Sequence, residues 1–348
     1  MNGLGRRLTV AMIAATTAIA MSGCVSRPDS GDGGGGEGGT IRFTFAPDPV
    51  WDYITDQGIL AEMEKESGFK IDASSTWDEF GVFAGGHADI VSSASYEVPV
   101  IEEETGRDTV VVGKYNMDRS VIIARADNPA NTLADLKGQD ISAFTAVSAT
   151  LVWGAYAKKL HDVDFRSGGG DYNIIVSDPQ QQADLVEKGE VAACVCLPEF
   201  ATPGLRSGEL KVLYDGKASS DMYADMVVEG HEGPMINVFL AGSEWAEENP
   251  EQVEFFLDVW QRGLSEWEAN NAEIIETYPQ HFAVEAPEDI EFVQKYVDDH
   301  DWFVRDIRFD QAWADNESQV FPLLKETGFM NADQALPKFR PSEAGGAS

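Results

Sequence analysis

The chain has 348 residues, enough for two domains or one large one, and carries 60 acidic against 25 basic side chains, a formal net charge of −35. A surface of that sign repels nucleic acid and anionic lipid, so no nucleic acid is expected as a partner. Glu and Asp are spread along the whole chain rather than gathered in one tail, which points to a solvated, salt-adapted (halophilic) surface.

Residues 1–23 read as an export signal. Arg6 and Arg7 form a basic start, and residues 8–21 are an alanine-rich apolar run too short for a spanning helix. The run ends in Met21-Ser-Gly-Cys24, which resembles a bacterial lipobox and makes Cys24 the expected lipidation site. Residues 24–39 are Gly, Ser and charge without apolar side chains and form a flexible tether. The expectation is an exported protein, lipid-anchored to the cell membrane and facing the outside or the periplasm.

From residue 40 the pattern alternates strand and helix. TIRFTF at Thr40–Phe45 is a strand, and Asp48-Pro49 caps a helix running from Val50 to Gly68. Residues 70–73 form a strand and 77–84 a short helix. Residues 88–91 form a third strand, which runs into the hydroxyl-rich turn Ser92, Ser93, Ser95, Tyr96. Strands follow at 109–112 and 121–124. A second unit then begins: a capped helical turn at Thr132, a strand at 140–144, Thr145, Ser148 and Thr150 in a turn, and an apolar helix at 151–160. Strands at 173–176, 191–196 and 210–213, with a helix after Asp178-Pro179, complete it. Residues 236–240 return to the first unit. After Asn249-Pro250 the stripe Val253, Phe256, Leu257, Trp260, Leu264, Trp267 marks a long amphipathic helix.

The alternation predicts an α/β fold of two lobes, each a mainly parallel sheet flanked by helices. The lobes are expected at 40–119 with 235–338, which includes the C-terminal helices, and at 120–234, with a disordered tail at 339–348. Cys194 and Cys196 lie in one apolar strand; i and i+2 positions sit too far apart for an easy disulfide, so two buried thiols are expected, with an oxidised pair as the alternative.

At this point the chain resembles the solute-binding lipoproteins of ABC importers, in particular the nitrate/sulfonate/taurine and thiamine-precursor binding group. The resemblance covers roughly residues 40–338. It is carried by the lipobox, by GHADIVSSAS from Gly86, by TLADLKGQDISAF from Thr132, and by VEKGEVAAC from Val186 ahead of Pro198-Glu199. It implies a periplasmic-binding-protein type II-like fold, two crossing hinge strands near residues 119–121 and 235–237, and a closed form that docks on permease transmembrane subunits. A monomer is expected. Two departures from sulfonate binders stand out: residues 146–150 lack glycine, and Leu197 stands where tryptophan is frequent.

In such a sheet, ligands sit beyond the carboxyl ends of the strands. Five turns therefore face one cleft, at residues 46–51, 76–80, 92–96, 145–150 and 197–200. They offer Trp51, Trp77, Phe80, Tyr96 and Phe200 as walls, with Leu197 beside them, and Ser92, Ser93, Ser95, Thr145, Ser148 and Thr150 as hydroxyls. Glu199 is the carboxylate in reach, and Asn237 on the returning strand adds a polar contact. No Arg or Lys falls in these turns. An anion such as a sulfonate, nitrate or aromatic carboxylate could sit on helix N-termini; equally, aromatics with Glu199 could hold a cation or a ring. No nucleophile elbow, zinc-protease motif, P-loop or Rossmann pattern occurs, and the five histidines are scattered. Cys194-Val-Cys196 faintly echoes the cysteine cluster of the pyrimidine synthase that shares this fold, but the export signal argues against it. No enzyme, cofactor or metal is expected. A receptor-coupled sensor role is the remaining alternative to import.

Overall fold

The computed structural model describes residues 39–145, 147–300 and 302–342. The expected export signal, Cys24, the expected tether up to residue 38, Ala146, Asp301 and the last six residues lie outside them.

The first sheet starts from β1 (Thr40–Phe45), whose alternation turns Ile41, Phe43 and Phe45 into the core. Gly58, at φ +73, divides the expected helix into α1 (Pro49–Asp56) and α2 (Ile59–Ser67), because the left-handed conformation cannot continue a helix. β2 (Lys70–Ser75), α3 (Glu79–Ala84), β3 (Ile90–Ser93), α4 (Val98–Thr105) and β4 (Thr109–Met117) follow. The second sheet then begins with β5 (Val121–Arg125) and β6 (Asp140–Ala143). It continues through α5 (Ala149–His161), β7 (Asn173–Val176), α6 (Pro179–Glu187), β8 (Ala193–Cys196), α7 (Thr202–Ser207), β9 (Leu210–Val212) and α8 (Ser219–Met226). The chain returns along β10 (Met235–Gly242). It ends in α9 (Ser243–Glu248), α10 (Pro250–Thr277), α11 (Pro287–Asp299), α12 (Gln311–Glu317), α13 (Val320–Thr327) and β11 (Lys338–Phe339).

Strand order is β11-β4-β10-β3-β1-β2 in one sheet and β7-β6-β8-β5-β9 in the other. Both sheets are mixed rather than mainly parallel. β10 runs antiparallel to β3 and β4, and β5 antiparallel to β8 and β9, because the strands at each passage between lobes run back against their neighbours. The two passages lie side by side: Met235 pairs with Met117, and the Asp118 N–H donates to the Pro234 carbonyl at 2.7 Å.

Aromatic side chains fill the first core, where Phe43 meets Phe256 at 4.8 Å and Phe239 meets Trp260 at 5.1 Å between ring centroids. The second core surrounds α5, with Trp153 and Tyr156 fully buried. Its partners include Phe321, Leu323 and Leu324 of α13. The C-terminal helices thus do not all belong with the first sheet: α13 carries one apolar face and spends it on α5. Gly154 permits the close approach, since a methyl group there would lie 2.3 Å from the Phe329 ring.

Two further expectations change. Cys194 and Cys196 form a disulfide, their Cα atoms 5.4 Å apart and within the span a bridge accepts, so they are not free thiols. The start of the expected tail is ordered: Phe339 pairs with Val111 of β4, and the Ser342 N–H donates to the Phe309 carbonyl at 2.9 Å. Among the described residues no helix is long and apolar enough to cross a membrane.

Candidate functional site

A cavity of about 340 Å³ lies between the two sheets, at the carboxyl ends of β1, β2, β3, β6 and β8. Each strand stops at a turn that leads into a helix or 3-10 turn, so side chains and N–H groups from both lobes converge. Apolar walls come from Phe45, Trp77 and Phe80 on one side and Phe144, Leu197 and Phe200 on the other. The rear is closed by Tyr115, Trp260, Trp302 and Phe303.

Of the predicted residues, Trp77, Phe80, Ser92, Ser93, Thr145, Ser148, Thr150, Leu197, Glu199, Phe200 and Asn237 line this cavity. Several are already engaged. Ser92 Oγ accepts from Asn237 Nδ2 at 2.7 Å, and Asn237 Oδ1 accepts from Asn116 Nδ2 at 3.0 Å, which ties β3, β10 and β4 together at the cavity floor. Ser93 Oγ donates to Glu97 Oε2 at 3.1 Å. Thr150 Oγ1 donates to the Thr145 carbonyl at 2.6 Å.

Three predicted residues do not reach the cavity. Trp51 packs into the first core against Phe43, Phe45 and Trp260. Ser95 is fully buried and donates to Glu317 Oε1 on α12. Tyr96 is buried in the second core, its hydroxyl donating to Asp118 Oδ2 at 3.0 Å. The stretch expected as one turn thus splits: Ser92 and Ser93 end β3 and face the cavity, while Ser95 and Tyr96 lie in the 3-10 turn after it and anchor the passages between lobes.

The residue most clearly missed is Arg119. It lies in none of the five turns but on the passage between β4 and β5, which carries it to the back of the cavity. Its Nε donates to Glu199 Oε1 at 3.1 Å and its Nη2 to the same oxygen, while its guanidinium lies 5.2 Å from the centre of the Trp302 ring. Burial lowers the guanidinium pKa, but Glu199 more than offsets it and the net direction is upward. The sequence signal was available: an arginine between two strands that cross at the cleft.

Carboxyl groups around the cavity are held by their own chain. Asp48 Oδ1 accepts from the Val50 and Trp51 N–H groups at 2.9 and 3.1 Å, and its Oδ2 from the Tyr115 hydroxyl at 2.8 Å. Asp78 accepts from Gly81 N at the start of α3, and Glu97 accepts from Ala94 N. At α5 the Thr145 hydroxyl accepts from Ser148 N at 2.9 Å. Burial raises the pKa of Asp48 and of Glu97, and pushes Glu79 up to about 8 with the neighbouring Glu97 and Asp78 adding to it. The described residues hold no group of three or more His, Cys, Asp and Glu placed to bind a metal ion.

A family model described as "ABC transporter, phosphonate, periplasmic substrate-binding protein" matches residues 57–232, just over half of the 348 residues. No curated protein matches the chain in sequence. Among solved structures, the alkanesulfonate-binding protein SsuA from Xanthomonas axonopodis pv. citri, bound to MOPS, is 15% identical; the match covers 87% of this chain and 98% of that one, with a TM-score of 0.68. The periplasmic aliphatic sulphonate binding protein SsuA from Escherichia coli is 18% identical, covering 89% and 94%, with a TM-score of 0.65. A Candida albicans protein described as having the generic periplasmic binding protein fold is 13% identical, covering 88% and 99%, with a TM-score of 0.61. Likeness at these identities establishes the fold: two lobes of periplasmic-binding-protein type.

Proposed function

This chain belongs to the phosphonate-type periplasmic substrate-binding proteins of ABC transporters, and from that premise we propose that it captures a small organic molecule between its lobes and delivers it to a permease. It does so as an exported protein held to the membrane by lipid on Cys24. The carrying observation is the cavity of about 340 Å³ at the strand ends, whose walls come from both sheets. A ligand touching both walls favours the closed arrangement over the open one, by as much as it binds the closed form more tightly. The passages at residues 118–121 and 234–237 serve as the hinge.

The lining bears on the ligand's charge. A phosphonate or sulfonate head would seek the N–H groups of helix N-termini. Here Asp48 already takes the Val50 and Trp51 N–H groups at the start of α1, and Asp78 that of Gly81 at the start of α3. Burial raises the pKa of Glu79 and of Glu97, so negative charge is disfavoured at this side of the cavity. The proposed ligand is therefore a neutral or cationic ring compound rather than a sulfonate, nitrate or phosphonate. The acidic surface fits a source living in high salt.

A thermal-shift screen of the purified protein in high salt tests the reading, because a ligand that binds only the folded state raises the melting temperature. A rise is expected with ring amines and neutral heterocycles and none with methylphosphonate, taurine or nitrate. A rise with methylphosphonate alone would overturn the charge assignment and leave capture standing.

A further inference from the structure

Beside the cavity the lobes also meet along a seam. The 3-10 turn Pro198–Ala201, which carries Glu199 and Phe200 of the cavity wall, runs straight into α7 and packs across the lobes on the turn Pro279–Phe282. α7 itself packs on α11. Leu205 of α7 lies against the buried cluster of Val121, Ile123, Ala183 and Val186 in the second lobe, whereas Val293 and Val297 of α11 belong to the first core. The two helices are thus fixed to separate cores, and each can move with its own lobe.

The seam is acidic. Burial raises the pKa of Glu187 on α6, and Asp184, Glu209 and, from the other lobe, Glu285 push it further in the same direction. In a chain with 60 acidic against 25 basic side chains, bringing such faces together costs like-charge repulsion. Arg206 is the cation set against it. Its Nε donates to Asp289 Oδ1, and this bond, with the charges of Asp289 and Glu288, raises the guanidinium pKa. Asp289 Oδ2 is taken by the Glu285 and Ala286 N–H groups, which holds the carboxylate fixed at the start of α11 and leaves Oδ1 for the cation. Asp289 is fully buried and Arg206 a third exposed, so the acceptor is built into one lobe and the donor arrives on the other.

We propose that Arg206 and Asp289 form a latch across this seam: the ion pair offsets the repulsion between two acidic faces and so sets how much of the protein stands closed. This rests on lobe closure as the capture step. Because α7 continues the turn that carries Glu199 and Phe200, parting the latch also draws that wall away from the cavity.

Double electron–electron resonance tests the latch, with spin labels on p-acetylphenylalanine in place of Lys65 on α2 and of Val176 on β7. Both positions are exposed, one in each lobe, and the native cysteines stay untouched. The purified protein is expected to show a short, closed distance beside a longer, open one. Arg206→Glu is expected to cut the closed-to-open ratio about tenfold and Arg206→Gln about threefold, while Arg206→Lys, which keeps the charge, stays within about twofold of the parent. Each variant is expected to keep the parent's circular-dichroism spectrum. Should Arg206→Glu fail to fold, the gap between Arg206→Gln and Arg206→Lys decides, because lost packing without lost charge would weaken both alike. Two distances whose ratio no variant changes, or equal effects of Arg206→Gln and Arg206→Lys, would overturn the latch and leave closure standing. A single distance shared by the parent and every variant would overturn closure itself, and the latch with it.

Discussion

Trp77 meets Phe200 edge-on, with ring centroids 6.1 Å apart at 73°, and meets Phe144 at 5.8 Å and 67°. Trp77 follows β2 of the first sheet, while Phe144 follows β6 and Phe200 follows β8 of the second. Three rings from two lobes thus touch beside the cavity. Edge-to-face pairs contribute roughly 0.5–1.5 kcal/mol each, so Trp77 favours the closed arrangement by about 1–3 kcal/mol.

Trp77→Ala is therefore expected to raise the ligand dissociation rate by about tenfold while moving the melting temperature by only about 2 °C, since Trp77 is half-buried and outside both cores. Stopped-flow release of the ligand identified by the screen checks this. An unchanged dissociation rate would show that the three rings do not hold the lobes together.

How much of this was legible in the chain differs between fold and site. Strands such as Thr40–Phe45 and Asn173–Val176 were readable to the residue, because alternation and β-branching mark them and turn residues bound them. The site was readable by position but not by orientation. Ser92 and Ser95 stand three residues apart, but Ser92 belongs to β3, whereas a 3-10 turn begins at Ser95 and rotates it away from the cavity toward Glu317, 222 residues distant in sequence. Trp51 was placed by its turn at the cleft, yet the first turn of α1 directs it onto Phe43 and Trp260. Arg119 escaped notice for the converse reason, since strand-end reasoning looks at turns and Arg119 lies on a crossing segment. The mixed sheets and the seat of α13 on α5 are long-range choices that no local pattern carries.

Arg206 and Asp289 form a second tie between α7 and α11. Asp289 is fully buried and also accepts from the Glu285 and Ala286 N–H groups at 3.0 and 2.8 Å. Asp289→Ala would leave those donors and the guanidinium unpaired and is expected to destabilise the protein by about 3 kcal/mol. Arg206→Ala, which removes a third-exposed partner and leaves the N–H donors on Asp289, is expected to cost clearly less. Urea unfolding of the two variants checks the order; equal losses would mean that the capping of α11 carries nothing.

Glu317 is the buried junction of the two passages. Its Oε1 accepts from the Met235 N–H at 2.8 Å and from Ser95, and its Oε2 meets His231 Nε2 at 2.9 Å. Glu317→Ala removes the acceptor from three buried groups at once. A loss of about 3–5 kcal/mol in unfolding free energy is expected. A loss below about 1 kcal/mol would show that the groups find other partners and that the junction is not rigid.

The last prediction concerns pH. Burial, with Glu97 and Asp78 nearby, lifts Glu79 from an ordinary value of 4.5 to about 8, and burial raises Asp48, Glu97 and Asp118 in the same direction. A carboxyl whose folded-state pKa is raised holds its proton in the folded protein where the unfolded chain has released it. Its stabilising contribution is full below about 4.5 and is lost as pH rises to about 8, because over that window the folded state binds more protons than the unfolded one. One such group changes stability by at most about 1.4 kcal/mol per pH unit, and Glu79, being partly exposed, by less. Urea unfolding at constant salt is thus expected to give a less stable protein at pH 8 than at pH 5. Glu79→Gln, which keeps the neutral form at every pH, should flatten the decline and leave the variant more stable than the parent at pH 8. Parallel pH profiles for the two proteins would show that Glu79 ionises freely, and that negative charge at the mouth of the cavity costs little.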